Sequence, residues 1–162
     1  MKKENVIQSC YSLLRKSTPL DFDCGKICKG KCCAGDEKTG MLLFPGEENL
    51  IDPNIKVVEN AQGDKIAVCN GICDRNKRPL SCRIYPLFPL ILEKNGKEVV
   101  SVIFDLRADC PLSHRKYRFN RDFVKSVKRT GKFLLLNEET GEFYRGLSAM
   151  QEEFLDFSLR LE

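Results

Sequence analysis

The chain has 162 residues and a formal charge of +4, with 42% hydrophobic and 31% charged residues. This balance fits one globular domain and excludes a disordered polyelectrolyte. No apolar run approaches 18 residues, so no membrane-spanning helix is expected.

The N-terminus, MKKENVIQSCYSLLRK, lacks the apolar core of a signal peptide. The chain is therefore expected in the cytoplasm, where structural disulfides are rare. Over residues 4–16 the positions Val6, Cys10, Leu13 and Leu14 form one apolar stripe, which predicts a helix with Cys10 as a small core residue,. Ser17, Thr18 and Pro19 should stop it,. Residues 21–40 are rich in Cys, Gly and Lys and poor in apolar side chains, so burial cannot order them. Met41–Phe44 reads as a strand, ended by Pro45 and Gly46, with a helical turn over Glu47–Ile51. Ile55–Val58 and Lys65–Val68 read as a hairpin,. Leu87–Glu93 and Lys97–Phe104 flank Asn95-Gly96, a strong signal for a tight hairpin,. Pro86 and Pro89 place the first of these strands towards a sheet edge,.

The last third changes period. Asn120 can cap a helix carrying Phe123, Val124 and Val127, with Gly131 expected to end or kink it,. Phe143, Leu147, Met150, Phe154, Phe157 and Leu161 then make a heptad-like stripe,. It is read as the inner face of a helix on the domain's own core, with a dimer seam as the alternative. The expected fold is α+β. Residues 1–162 form a single small domain with an irregular, metal-pinned cysteine core (21–112), short antiparallel hairpins and flanking N- and C-terminal helices (117–162). Residues 107–132 carry nine Lys or Arg against two Asp or Glu, while 133–162 carry two against seven. A basic segment of this kind can bind nucleic acid. Packing against the acidic segment is favoured, because aromatic stacking residues are not interleaved.

Seven of the nine cysteines lie between Cys24 and Cys82. The first cluster, Cys24, Cys28, Cys32 and Cys33, has the spacing C-x3-C-x3-C-C. The second, Cys69, Cys73 and Cys82, has C-x3-C-x8-C, and Cys110 follows. Thiolates select Zn²⁺, Cu⁺ and iron–sulfur clusters, and each usual site needs about four donors. Without Cys10, eight thiols remain, enough for two such sites. His114 is the sole histidine, so a Cys₂His₂ site is excluded. A redox C-x-x-C, a Cys–His nucleophile and a disulfide framework all fit less well. Gly25 and Gly30 suggest that the first cluster is a loop able to fold round an ion. Side chains of adjacent cysteines diverge, so Cys32 and Cys33 are expected to split between sites, or one of them to be spare. Each ion should draw on both clusters. Cys24, Cys28, Cys69, Cys73 and Cys82 lead as ligands, then Cys32 and Cys33, and last Cys110. Pro79 fixes the approach to Cys82. Arg78 and Arg83 flank that thiolate and could compensate a negative metal–sulfur centre, as could Lys26, Lys29 and Lys31,.

The double cysteine, followed by RPLSCRIYP from Arg78 to Pro86, resembles the CxxCxxCC, or YkgJ-like, cysteine-cluster family. The resemblance spans Asp23 to Leu112, and it departs from the family name in the three-residue gaps of the first cluster. It implies a zinc- or iron-chelating domain, [4Fe–4S] included, of unassigned activity. Some members of that family are labelled iron–sulfur oxidoreductases, and flagellin lysine N-methylases share the cluster. No glycine-rich turn for S-adenosylmethionine is present in this sequence, which weakens a methylase reading. The expected partner is a metal ion rather than a membrane. A zinc-supported nucleic-acid-binding module is a further alternative.

Overall fold

Helix α1 (Lys3–Leu14) buries Val6, Cys10 and Leu14 of the expected stripe together with Ile7, while Leu13 is half-buried,. The computed structural model describes residues 1–33, 35–36, 38–113 and 117–160, excepting the side chains of 157–160. In chain order there follow α2 (Gly25–Cys28), a 3-10 turn (Lys31–Cys33), β1 (Met41–Leu42), β2 (Lys56–Glu59) and β3 (Lys65–Val68). Next come α3 (Leu80–Ile84), β4 (Leu87–Lys94), β5 (Lys97–Phe104), α4 (Arg121–Leu134) and α5 (Glu138–Arg160). The protein is thus α+β, with helices at both ends of two short antiparallel sheets.

The two sheets differ in role. Strands β4 and β5 pair from Leu87 with Phe104 to Lys94 with Lys97. Asn95 (φ 52°) and Gly96 (φ 71°) both take the left-handed conformation that a two-residue hairpin turn requires,. Against this ribbon pack α4 and α5, α1 packs in turn on α4 and α3, and the main core gathers Phe44, Leu80, Phe88, Leu90, Phe123, Leu134 and Tyr144. Each such side chain contributes roughly 1.5–3 kcal/mol of burial. The smaller sheet, in the order β1-β3-β2, covers a separate small core of Leu43, Ile51, Ile55 and Ala67, against which Cys73 packs. Strand β1 is shorter than the expected 41–44, because the Phe44 N–H turns inward to donate to Glu47 Oε2 at 2.7 Å.

Asn120 caps α4 as expected, its Oδ1 accepting from the Asp122 N–H at 2.9 Å,. Gly131 neither ends nor kinks that helix. It lies inside α4 and lets the helix touch the ribbon: a Cβ there would meet Tyr144 Oη at 2.6 Å, Pro89 Cβ at 2.9 Å and Val100 Cγ1 at 2.9 Å. Gly131→Ala should therefore destabilise by about 1–3 kcal/mol despite alanine's better helix propensity. In α5, Gly146 has open space round the Cβ position, so Gly146→Ala should stabilise by up to about 1 kcal/mol. Thermal melts of both variants check this, and a stabilised Gly131→Ala would contradict the close packing.

The inner face of α5 is rotated from the expected stripe. Phe143 and Leu147 pack on the core, but Met150 and Phe154 are 39% and 46% exposed. The Phe157 side chain and Leu161 lie outside the described residues. Polar side chains account for the rotation. Buried Gln151 donates from Nε2 to Asp105 Oδ1 at 2.7 Å and accepts from the Leu106 N–H at 3.1 Å. Ser148 Oγ accepts from the Ile91 N–H at 3.1 Å, and Tyr144 donates to the Pro89 carbonyl. Hydrophobic period alone does not reveal such hydrogen-bonded positions. Among the described residues no helix is long and apolar enough to cross a membrane.

Candidate metal centre

The first cysteine cluster is not the open loop that its glycines suggest. Cys24 precedes α2 and Cys28 ends it, so the two lie about one helical turn apart,. Lys29 (φ 55°) and Gly30 (φ 72°) then reverse the chain through left-handed conformations into the 3-10 turn that carries Cys32 and Cys33. The Asp23 side chain holds the start of this unit, accepting from the Gly25 N–H at 3.0 Å.

The second cluster reaches the first through α3, a helix the sequence reading missed. Its Leu80 and Ile84 are buried in the main core. Its first turn is held by Glu47, a carboxylate with no solvent exposure. Glu47 accepts from Tyr11 Oη at 2.7 Å, the Leu80 N–H at 2.6 Å and the Phe44 N–H at 2.7 Å. Ser81 Oγ adds a bond to the Leu42 carbonyl at 2.6 Å. These contacts fix the element that carries Cys82. Near the other end of the site, Asp52 Oδ2 accepts from the Asp74 N–H at 2.6 Å, anchoring the chain just beyond Cys73.

Two adjoining hollows result. The larger, about 490 Å³, is bordered by Cys24, Cys28 and Cys110 together with Cys32, Cys33, Cys73 and Cys82. The smaller, about 40 Å³, is bordered by Cys69 and again by Cys32, Cys33, Cys73 and Cys82. Eight cysteines thus border these two hollows, Cys32, Cys33, Cys73 and Cys82 bordering both, while Cys10 sits in the core with its thiol 3.9 Å from the Thr130 carbonyl. All nine are free thiols. The sulfurs line the space without converging: among the described residues no three or more His, Cys, Asp or Glu side chains gather closely enough to hold an ion. His114 lies outside the described residues.

Electrostatics distinguishes the thiols. A hydrogen bond with Cys32 lowers the Cys33 pKa to about 6, helped by the nearby Arg78 guanidinium; Cys32 is raised in consequence. Burial pushes Cys24, Cys69, Cys82 and Cys110 upward, and Cys10 to about 12. Low dielectric disfavours an uncompensated thiolate, so these groups gain most from a cation. Arg78 lines both hollows. Burial opposes its charge, but its hydrogen bond with Cys73 and the fields of Cys82 and Cys33 outweigh that. Arg83 is placed differently. It donates from Nε to the Arg78 carbonyl at 2.7 Å and from Nη2 to the Asn76 carbonyl at 2.6 Å, and stacks 3.9 Å from the centre of the Tyr11 ring. Arg83 thereby braces the backbone that presents Arg78. Lys31 pairs with Asp109 at 2.5 Å, tying the first cluster to the Cys110 segment. Tyr85, the tyrosine of the RPLSCRIYP run, borders both hollows.

A scan of family models, of curated proteins and of solved structures finds nothing similar to the chain.

Proposed function

We propose that the protein is a cysteine-cluster metal-binding protein of a reducing cytoplasm, related to the CxxCxxCC family that its RPLSCRIYP run resembles. The donors are Cys24, Cys28, Cys32, Cys33, Cys69, Cys73, Cys82 and Cys110. One observation carries the reading: eight free thiols from four separate stretches of chain border two hollows that share four of them, and the ninth is sealed in the core. Thiolate sets of this size suit Zn²⁺ or iron, the latter as [4Fe–4S]. Zinc would supply structural closure, and a cubane would supply one-electron redox chemistry. Anaerobic purification with elemental analysis tests the reading. Stoichiometric zinc in a colourless protein supports a structural chelator. Iron with sulfide and broad visible absorption supports an iron–sulfur oxidoreductase, and no bound metal overturns the proposal.

Substitution separates site from core. Cys82→Ser should lower the bound metal per chain, whereas Cys10→Ser should leave it unchanged. The Cys10 variant should instead lose about 1–3 kcal/mol of stability, because a hydroxyl replaces a buried apolar sulfur. Metal counts on both purified variants check this. Equal loss from both would overturn the division.

A second reading is favoured by one observation. Arg121, Lys125, Lys128 and Lys132 lie exposed along one side of α4. Among the described residues Lys125 of this face pairs with Asp122 of the same helix, and the ion pairs of α5 are Lys3 with Glu139 and Arg145 with Glu98. Among the described residues no ion pair joins this face to the acidic C-terminal segment, which favours contact with the phosphates of a nucleic acid. Retention on nucleic acid that falls steeply with salt, and falls less steeply in Lys125→Ala/Lys128→Ala, is the expected result for that reading.

A further inference from the structure

We propose that the free edge of strand β5 is a docking surface for a second copy of this chain, the two β5 strands pairing antiparallel about a two-fold axis at Ser101. The proposal does not depend on metal binding.

The register of the hairpin decides which backbone groups face outward. The two-residue turn at Asn95-Gly96 makes Lys94 and Lys97 a hydrogen-bonded pair, and bonded and non-bonded pairs alternate from there,. At the far end the Pro86 carbonyl accepts from the Asp105 N–H at 2.8 Å, in the same phase. On β4, Pro89 and Ile91 therefore turn their backbone polar groups away from the ribbon. On β5, Glu98, Val100, Val102 and Phe104 do so.

The fold treats the two edges differently. Helix α5 covers β4: Ser148 Oγ accepts from the Ile91 N–H, and Tyr144 donates to the Pro89 carbonyl. Among the described residues no hydrogen bond reaches the outward N–H and C=O groups of Val100 and Val102. Val100 is only 6% exposed and Val102 is half-buried, positions at which an unpaired backbone group is costly. The edge also lacks the usual protection by charge, proline, bulge or shortness. From Val99 to Phe104 it reads VVSVIF in an unbroken register. An uncharged, β-branched run of this kind pairs readily with another strand.

A second β5 is the strand that fits. Glu98, Val100, Val102 and Phe104 are spaced evenly about Ser101, so antiparallel pairing centred there uses all four from each copy. Val100 then meets Val102, and Glu98 meets Phe104 rather than another Glu98. Each of these pairs exchanges both backbone bonds. The product is a four-stranded sheet in the order β4-β5-β5-β4, whose outer edges are the ones α5 already covers. Such a pair is closed and leaves no edge for a third copy. A peptide partner, by contrast, would leave the unbound protein open to this same pairing. Helix α4 lies on the Val100 face, where Gly131 approaches Val100 Cγ1. The two-fold therefore puts both basic α4 helices on one side of the sheet. Their like charges oppose the pairing, so salt should strengthen it.

Sedimentation equilibrium of the full chain, with and without chelator, tests the proposal. The expected mass is twice the 18.5 kDa of one chain, kept in chelator and favoured by salt. At the axis Ser101 faces Ser101 of the other copy in a non-bonded pair, with Cα atoms about 4.5 Å apart. Ser101→Glu and Ser101→Lys should each be monomeric, because like charges would stand directly opposite. An equimolar mixture of the two should regain the dimer, which also shows that both fold. In the unsubstituted protein the Val100 and Val102 amides should exchange slowly as a dimer and faster on dilution. The Val99 and Ser101 amides, bonded to β4, should stay slow throughout. A monomer at every soluble concentration, an open series of larger oligomers, or dimers that chelator or salt dissolves would overturn the proposal. So would dimers kept by either variant alone, or fast exchange at Val100 and Val102 in the native dimer.

Discussion

Glu47→Ala should be among the most damaging single substitutions in the protein, with an expected loss of about 3–5 kcal/mol. The Glu47 carboxylate has no solvent exposure and accepts from Tyr11, Leu80 and Phe44. Truncation orphans two buried donors and the part-buried Tyr11 hydroxyl, each worth roughly 1–3 kcal/mol, partly relieved when that hydroxyl turns elsewhere. The damage should spread to the thiols, because the Leu80 N–H opens the helix that carries Cys82. Glu47→Gln keeps the shape and one acceptor, so it should cost less and reveal a pH dependence. Burial raises the Glu47 pKa to about 7, against the opposing hydrogen bonds and the Arg83 charge. A carboxyl whose folded pKa lies above its unfolded one binds more protons when folded. Its contribution to stability is therefore full at low pH and declines as pH rises from about 4.5 to about 7. Denaturant unfolding across that window, at fixed metal loading, should show a falling component in the native protein that Glu47→Gln removes. Parallel pH profiles for the two proteins would contradict this account.

Glu47 also shows where sequence reasoning stops. The N-terminal helix, the two C-terminal helices, both hairpins and the capping role of Asn120 were readable because each depends on near neighbours: a 3.6-residue period, an Asn-Gly pair, one cap. Glu47 has no local signature. It follows Pro45-Gly46 like any solvated turn residue, and its partners at positions 11 and 80 come from distant segments. Helix α3 was hidden for the same reason. Five residues are too few to show a period, and the tertiary contacts of Leu80 and Ile84 hold it,. Gly131 misled because a helical glycine usually marks an end, whereas here it admits Tyr144 and Pro89. In the site, the cysteine spacing pointed to the eight thiols that now border the two hollows. It did not show that Arg83 would turn to Tyr11 and the backbone while Arg78 faced the sulfurs. Both arginines flank the same motif, and only the fold distinguishes them.

Metal removal should open one side of the molecule and leave the other closed. The main core is built from α1, α3 to α5 and the β4–β5 ribbon, and needs no thiol except buried Cys10. Residues 24–33 bury no side chain in their two short turns. The 69–78 stretch rests on a small core of four side chains and Cys73. Burial cannot offset the conformational entropy of roughly 1–2 kcal/mol per residue that these segments lose on ordering. Structural zinc binding, at about 10–16 kcal/mol in small peptides, is large enough to do so. Chelation should therefore speed amide exchange by orders of magnitude in 24–33 and 69–78. Slow exchange should persist in β4, β5, α4 and the first half of α5. The boundary is expected at Pro79, because Leu80 and Ile84 belong to the core that stays folded. Readdition of zinc should restore protection in both opened segments, and Cys82→Ser should prevent restoration near residues 69–78. Uniform protection after complete removal of metal would mean that the cysteine region folds without an ion, and the metal-pinned architecture would fall. Loss of protection throughout the chain would instead show that the ribbon and its helices depend on the site.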